Sequence, residues 1–181
     1  MKKIETKELF GKLDEMGVSY TVNNNPSPEQ IEKLKKSIEI MCGIYLTNIP
    51  FTEEEVKSKL ESIQYRGPDY TGIQKIDDLT FGHLRLSIMD LDIRSHQPMQ
   101  FEELTIVFNG EIYNYKFLRN KLVSRNIKFY TESDTEVMLK FLTEFGLEGV
   151  SEFEGMFAFS FYDKKSNKLI IARDYLGKKP L

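Results

Sequence analysis

The feature that most constrains this chain lies near its end. "GMFAFSFYD" (155–163) and "KLIIARD" (168–174) are two apolar, β-prone runs separated by the polar "KKSN". Such a pair reads as two strands of a hairpin. A lone hairpin is marginal in water, so the rest of the chain must supply more sheet and something to cover it.

The remaining pattern meets that demand with a mixture of strands and helices. "CGIYLT" and "LTIVFNG" read as strands. "LTFGHLRLSIMD" alternates, with Leu84, Leu86 and Ile88 on one face and His83, Arg85 and Ser87 on the other. "FTEEEVKSKLESIQ" is a helix opened by a Thr52 and Glu55 capping box, with Val56, Leu60 and Ile63 on one face. "RGPD" is a turn. "YNYKFLRNKLVSRN" carries Tyr115, Leu118 and Leu122 at helical spacing. "SDTEVMLKFLTEFG" is a helix capped by Ser133 and Glu136, with Met138, Phe141, Leu142 and Phe145 on one face. The expected class is α+β, with antiparallel pairs and two helices on a sheet face.

Residues 1–40 read differently, as an N-terminal extension that is mostly helical. Leu9, Leu13 and Met16 share a helix face ended by Gly17. "VSYTV" has the look of a short strand. Ser27, Pro28 and Gln30 open a second helix, with Ile31, Leu34 and Ile38 along one side. This stretch is too short for its own core; it is expected to dock on the remainder or stay mobile, as a leader- or propeptide-like extension.

Composition narrows the function. Of 181 residues, 25 are basic and 28 acidic, a net charge of -3 that offers no electrostatic case for nucleic acid or an anionic membrane. The single cysteine, Cys42, cannot form an internal disulfide, so a reducing, cytoplasmic setting is expected. One cysteine and two histidines (His83, His96) are too few for a Cys/His zinc site, and no metal is expected. The opening "MKKIETKELF" lacks the apolar core of a signal peptide. No apolar run approaches the ~20 residues of a membrane span.

Few residues are left to carry chemistry. Cys42 in "IMCGIYL" reads in two ways: a small buried hydrophobe on a strand, or a nucleophile at a processed N-terminus. A chain starting Met-Cys-Gly readily loses its methionine. Cys42 would then hold a thiol and an α-amine of pKa about 8, nucleophile and base in one residue. With the Met41–Cys42 peptide bond intact, that base is lost. Asn109 and Gly110 in "FNGEIYN" read as a turn closing a strand, or as two donors, a side-chain amide and a backbone N–H, for a tetrahedral oxyanion. Arg85 is a surface charge or a bidentate carboxylate clamp. Glu111 and Asp134 are ordinary surface acids, Asp134 in a helix's first turn, or partners for an ammonium. Arg66 is read as organising its turn, and His83 and His96 as scaffold groups.

In order and spacing, "MCGIYL", "YRGPDYTG", "GHLRLSIMD", "HQPM", "FNGEIYNY", "ESDTEV", "EGMFAFSFYD" and "ARDYLGKKPL" resemble the class II, N-terminal-nucleophile glutamine amidotransferase domain of glutamine-hydrolysing asparagine synthetases. The resemblance covers residues 41–181. It implies a four-layer αββα sandwich of two antiparallel sheets, the Ntn-hydrolase type, C-terminally truncated and with sheet edges left bare. It also implies that L-glutamine is hydrolysed to glutamate and ammonia through a Cys42 thioester. Asn109 and Gly110 would form the oxyanion hole. Arg85 would hold the α-carboxylate, and Glu111 and Asp134 the α-amino group. There is no Ser-Gly-Gly pyrophosphate loop and no "GxxxxGK[ST]". No cofactor is therefore expected in this chain: ATP and Mg would belong to a synthetase domain or subunit that receives the ammonia. The alternatives are an inactive module that binds glutamine or a partner because Cys42 is not N-terminal, and a truncated product without function.

Overall fold

A computed structural model of the chain describes residues 42–87 and 92–181. The helices and strand expected in residues 1–40 lie outside the described residues, as does Ile88. The elements run β1 (Gly43–Thr47), α1 (Glu53–Glu61), a short turn of 3-10 helix (Gln64–Arg66), β2 (Tyr70–Ile76), β3 (Leu79–Arg85), a second such turn (Ile93–Ser95), β4 (Met99–Phe101), β5 (Leu104–Ile112), α2 (Tyr115–Val123), α3 (Asp134–Phe145), a third (Gly146–Glu152), β6 (Gly155–Asp163) and β7 (Lys168–Arg173). They form two antiparallel sheets, in orders β1-β3-β2 and β4-β5-β6-β7. The class is α+β.

The period of 2 along each strand decides what packs where. On β3, Leu84 faces outward onto Val56 and Leu60 of α1. Phe81 faces the other way and meets Val107 and Tyr162 of the second sheet. That sheet in turn presents Ile106, Phe108, Ile112, Phe157, Phe159 and Phe161 to Leu118 and Leu122 of α2 and to Met138 and Phe141 of α3. The result is four layers: helix, sheet, sheet, helices. Burying each of these large apolar side chains is worth about 1.5–3 kcal/mol, so the largest cluster, under α2 and α3, dominates stability. Because two layers cover each sheet's inner strand, β3 is buried on both faces: His83 and Arg85 point between the sheets and not to solvent.

Helix ends follow the sequence closely. Thr52 accepts from the Glu55 N–H at 3.3 Å, and the Glu55 carboxylate accepts from the Thr52 N–H at 2.8 Å, which completes the capping box. Ser133 caps α3 by accepting from the Glu136 N–H. Glu136 does not return the bond. Its carboxylate instead accepts from the N–H groups of Tyr130 and Thr131 and pairs with Lys140 at 2.6 Å, which fastens the loop before α3 to the helix.

Two strands were not legible. β2 carries Gly72 where a side chain would help the pattern; a Cβ there would stand 2.0 Å from the Gln97 carbonyl oxygen. β4 spans only three residues. The Asn109-Gly110 pair does not end β5, which continues to Ile112 and pairs with β6 throughout, Asn109 opposite Ala158 and Gly110 opposite Phe157. Among the described residues no helix is long and apolar enough to cross a membrane.

Candidate active site

Cys42 stands one residue before β1, which pairs with β3 so that Gly43 lies opposite Leu84. The thiol therefore falls beside the chain leaving β3. Its Sγ accepts from the Leu86 N–H at 3.3 Å and faces the Leu86 carbonyl at 3.7 Å. Burial pushes the thiol's pKa above its ordinary value; the Leu86 contact and the Arg85 charge pull the other way, and Asp134 adds to the rise. At neutral pH this sulfur is a thiol that needs a base before it can attack.

Arg85, the last residue of β3, is 5% exposed. Its Nη1 donates to the Asp92 carbonyl oxygen at 3.2 Å.

Glu111 on β5 and Asp134 at the start of α3 form a buried acidic pair. Asp134 Oδ2 accepts from the Ile112 N–H at 3.1 Å, a bond that ties α3 to β5 and turns the two carboxyls toward one space. Burial raises both pKa values. Glu111 goes to about 9, through burial first, then the neighbouring Asp134, with Lys179 opposing. Asp134 goes to about 6, through burial, opposed by the backbone N–H groups of Ile112 and Thr135. Two carboxyls so placed cannot both ionise cheaply; near neutral pH Glu111 retains its proton. A cation that came between them would release it.

Gly110 has φ +152°, and a Cβ there would stand 2.0 Å from the Met156 carbonyl oxygen of the paired strand. Only glycine fits. A single cavity is lined by Cys42, Arg85, Gly110, Glu111 and Asp134, so five of the six residues singled out in the sequence converge. Asn109 is not among its lining residues. It is 1% exposed, with Oδ1 unpartnered among the described residues.

The cavity also has walls that the sequence reading missed. Gln97 Oε1 accepts from the Phe108 N–H at 2.6 Å, while its Nε2 donates to Thr135 Oγ1 at 3.2 Å, clamping β5 to the first turn of α3. Ser95, Ser133 and Thr135 add hydroxyls. Gln97 lies in "HQPM", and Ser133 and Thr135 in "ESDTEV", but neither stretch singles out which polar groups point inward, and Ser95 lies in neither. Lys179 is buried too, and its ammonium is felt by Cys42 and Glu111. Asp174 fixes its backbone by accepting from the N–H groups of Phe157, Lys178 and Lys179. The histidines are scaffold. His83 Nε2 lies 3.2 Å from the Phe108 carbonyl oxygen, and burial holds its pKa near 3. His96 stacks on Tyr70, ring centroids 3.7 Å apart.

The family model described as "Glutamine amidotransferase domain" matches residues 41–181. Asparagine synthetase (glutamine-hydrolyzing) 1 of Bacillus subtilis is 43% identical over 150 residues, 78% of this chain and 24% of its own length. Asparagine synthetase B (glutamine-hydrolyzing) of Escherichia coli is 38% identical over 148 residues, 78% of this chain and 26% of its own. Asparagine synthetase (glutamine-hydrolyzing) 3 of B. subtilis is 37% identical over 77% of this chain and 24% of its own. The chain thus spans about a quarter of the length of these relatives. A solved glutamine phosphoribosylpyrophosphate amidotransferase from B. subtilis overlaps 54% of this chain and 23% of its own at 24% identity and TM-score 0.45, an overlap too loose to add weight.

Proposed function

Since this chain belongs to the glutamine amidotransferase domain family, by its match from residue 41 to residue 181, we propose that its cavity hydrolyses the side-chain amide of L-glutamine to glutamate and ammonia. One observation carries the reading: a thiol, a guanidinium, two buried carboxyls and a glycine with no room for a side chain line the same cavity. A free amino acid offers the matching set of groups, an α-carboxylate, an α-ammonium and, at the far end, an electrophilic amide.

Arg85 takes the α-carboxylate and the Glu111–Asp134 pair takes the α-ammonium. A primary amide lacking either charge would leave a buried ion unpaired at a cost of several kcal/mol, which restricts the site to free amino acids that carry a side-chain amide. Cys42 Sγ, its proton passed to the α-amine of the same residue, attacks the amide carbon. The C–N bond of the tetrahedral intermediate breaks, ammonia leaves with the transferred proton, and a γ-glutamyl thioester remains. Water then cleaves the thioester to glutamate and restores the thiol. The Gly110 N–H, joined by the Asn109 side-chain amide once that amide turns into the cavity, receives the developing oxyanion, each donor worth about 3 kcal/mol of barrier. Both steps need an amine at Cys42, so the Met41–Cys42 bond must be opened; with it intact, the site binds glutamine without turnover.

The ammonia would pass to an asparagine synthetase-type partner or domain, where ATP and Mg would activate the acceptor carboxylate. The test is a glutaminase assay on chain beginning at Cys42, with hydroxylamine added to intercept the thioester as γ-glutamyl hydroxamate. Glutamate, ammonia and hydroxamate are expected, all lost in Cys42→Ala while glutamine binding persists. Hydrolysis that survives Cys42→Ala contradicts the reading.

A further inference from the structure

The cavity has three hydroxyl groups in its wall, and two of them are engaged. Ser133 Oγ meets Thr131 Oγ1 at 2.9 Å and accepts from the Glu136 N–H. Thr135 Oγ1 accepts from Gln97 Nε2 at 3.2 Å. Ser95 Oγ is different. The residue is 4% exposed, lines the cavity, and its hydroxyl has no hydrogen-bond partner among the described residues. A buried hydroxyl left so costs about 1–3 kcal/mol, and the cavity that Ser95 lines is where a ligand's oxygen could come to satisfy it.

Its position within that space is fixed by a shared acceptor. The Asp92 carbonyl oxygen accepts from the Ser95 N–H at 3.1 Å and from Arg85 Nη1 at 3.2 Å. Ser95 therefore stands beside the guanidinium, at the opposite role from the acidic pair. The same carbonyl also draws one hydrogen of the Arg85 fork away from the cavity. An ionised carboxylate has about four lone-pair sites, and a bidentate guanidinium fills two of them. A hydroxyl alongside would fill a third.

Resting on the glutaminase reading, we propose that Ser95 is a substrate-binding residue whose hydroxyl donates to the α-carboxylate of glutamine beside Arg85. The bond would be charge-assisted, so its loss should cost about tenfold in affinity. It would act on binding of the carboxylate alone and leave the amide chemistry untouched.

The experiment uses the full chain carrying Cys42→Ala, so that ligand is not consumed, and ligand-detected NMR titration, which reads millimolar affinities. The probes are L-glutamine and its α-amide, in which the carboxylate is replaced by a neutral carboxamide. Ser95→Ala should weaken L-glutamine about tenfold and change the α-amide by less than about twofold. With Cys42 restored and its N-terminus free, the same substitution should raise KM and leave kcat nearly unchanged. Equal weakening of both ligands, or no weakening of either, overturns the assignment. A parent chain that binds no glutamine overturns the glutaminase reading itself, and the Ser95 role with it; binding by the parent that Ser95→Ala does not disturb overturns only the latter.

Discussion

Glu111 is held against its own preference. Its folded pKa stands near 9 where an unfolded glutamate titrates near 4.5, and Asp134 is raised in the same sense. Between those values the native state binds more protons than the unfolded state, so this pair's contribution to stability is present below the unfolded carboxylate range and is lost as pH rises toward 9. The unliganded protein should therefore melt at a lower temperature at about pH 8 than at about pH 6. Glu111→Gln should flatten that slope and stabilise the protein at the higher pH by about 1–3 kcal/mol, as thermal unfolding at the two values would read. It should also abolish glutamine binding. Binding itself should release a proton, because an α-ammonium between the carboxyls favours their ionised forms. Calorimetry in buffers of different ionisation enthalpy should show that release, and affinity should strengthen as pH rises toward neutrality and above. On the anion side, Arg85→Ala should weaken L-glutamine about a hundredfold, through loss of a buried charge-assisted pair. An unchanged affinity would mean that Arg85 has a different task.

At the level of elements, the site depends on how β5 and α3 are joined. Ser133 caps α3 and Asp134 follows it, bonded to the Ile112 N–H of β5. Ser133→Ala should cost about 1 kcal/mol of stability and weaken glutamine binding as well, since the cap sets where Asp134 points; a stability loss with intact affinity would separate the two. Gly110→Ala would drive a methyl into the Met156 carbonyl of β6 and should cost about 2–4 kcal/mol, measured by denaturant unfolding. Much of this framework was legible because its signals are local. The Thr52 and Glu55 box, the Ser133 cap and the β6–β7 hairpin each need only a few adjacent residues. What escaped is long-range in origin. Gly72 disguises β2 because Gln97 approaches it from 25 residues away in sequence. Asn109-Gly110 resembles a turn, yet the partner strand β6 carries the ladder through it. Ser95 carries no mark of its own; only the shared Asp92 carbonyl reveals that it neighbours Arg85. The candidate residues are legible by resemblance and by the charges that an amino acid presents, and five of them line one cavity, while Asn109 is not among its lining residues.

Across the molecule, a three-stranded sheet faces a four-stranded one. β7 is the edge of the wider sheet, and its Leu169 and Ile171 are 38% and 50% exposed. The candidate site lies where β1, β3 and β5 meet, with Asp134 supplied from α3, so the proposed chemistry is built around the contact between the sheets. That contact brings the start of β1 to the cavity and gives Cys42 its importance: the residue closest to the chemistry is also the one whose amine is tied up or free according to whether Met41 precedes it. The glutamine analogue diazo-oxo-norleucine, which alkylates an activated thiol, tests this directly. Intact mass measured after equal exposure should show one adduct, mapped to Cys42, on chain that begins at that residue, and none on chain that retains the Met41–Cys42 bond. Labelling of both forms at the same rate would contradict the claim that Cys42 draws its base from its own α-amine.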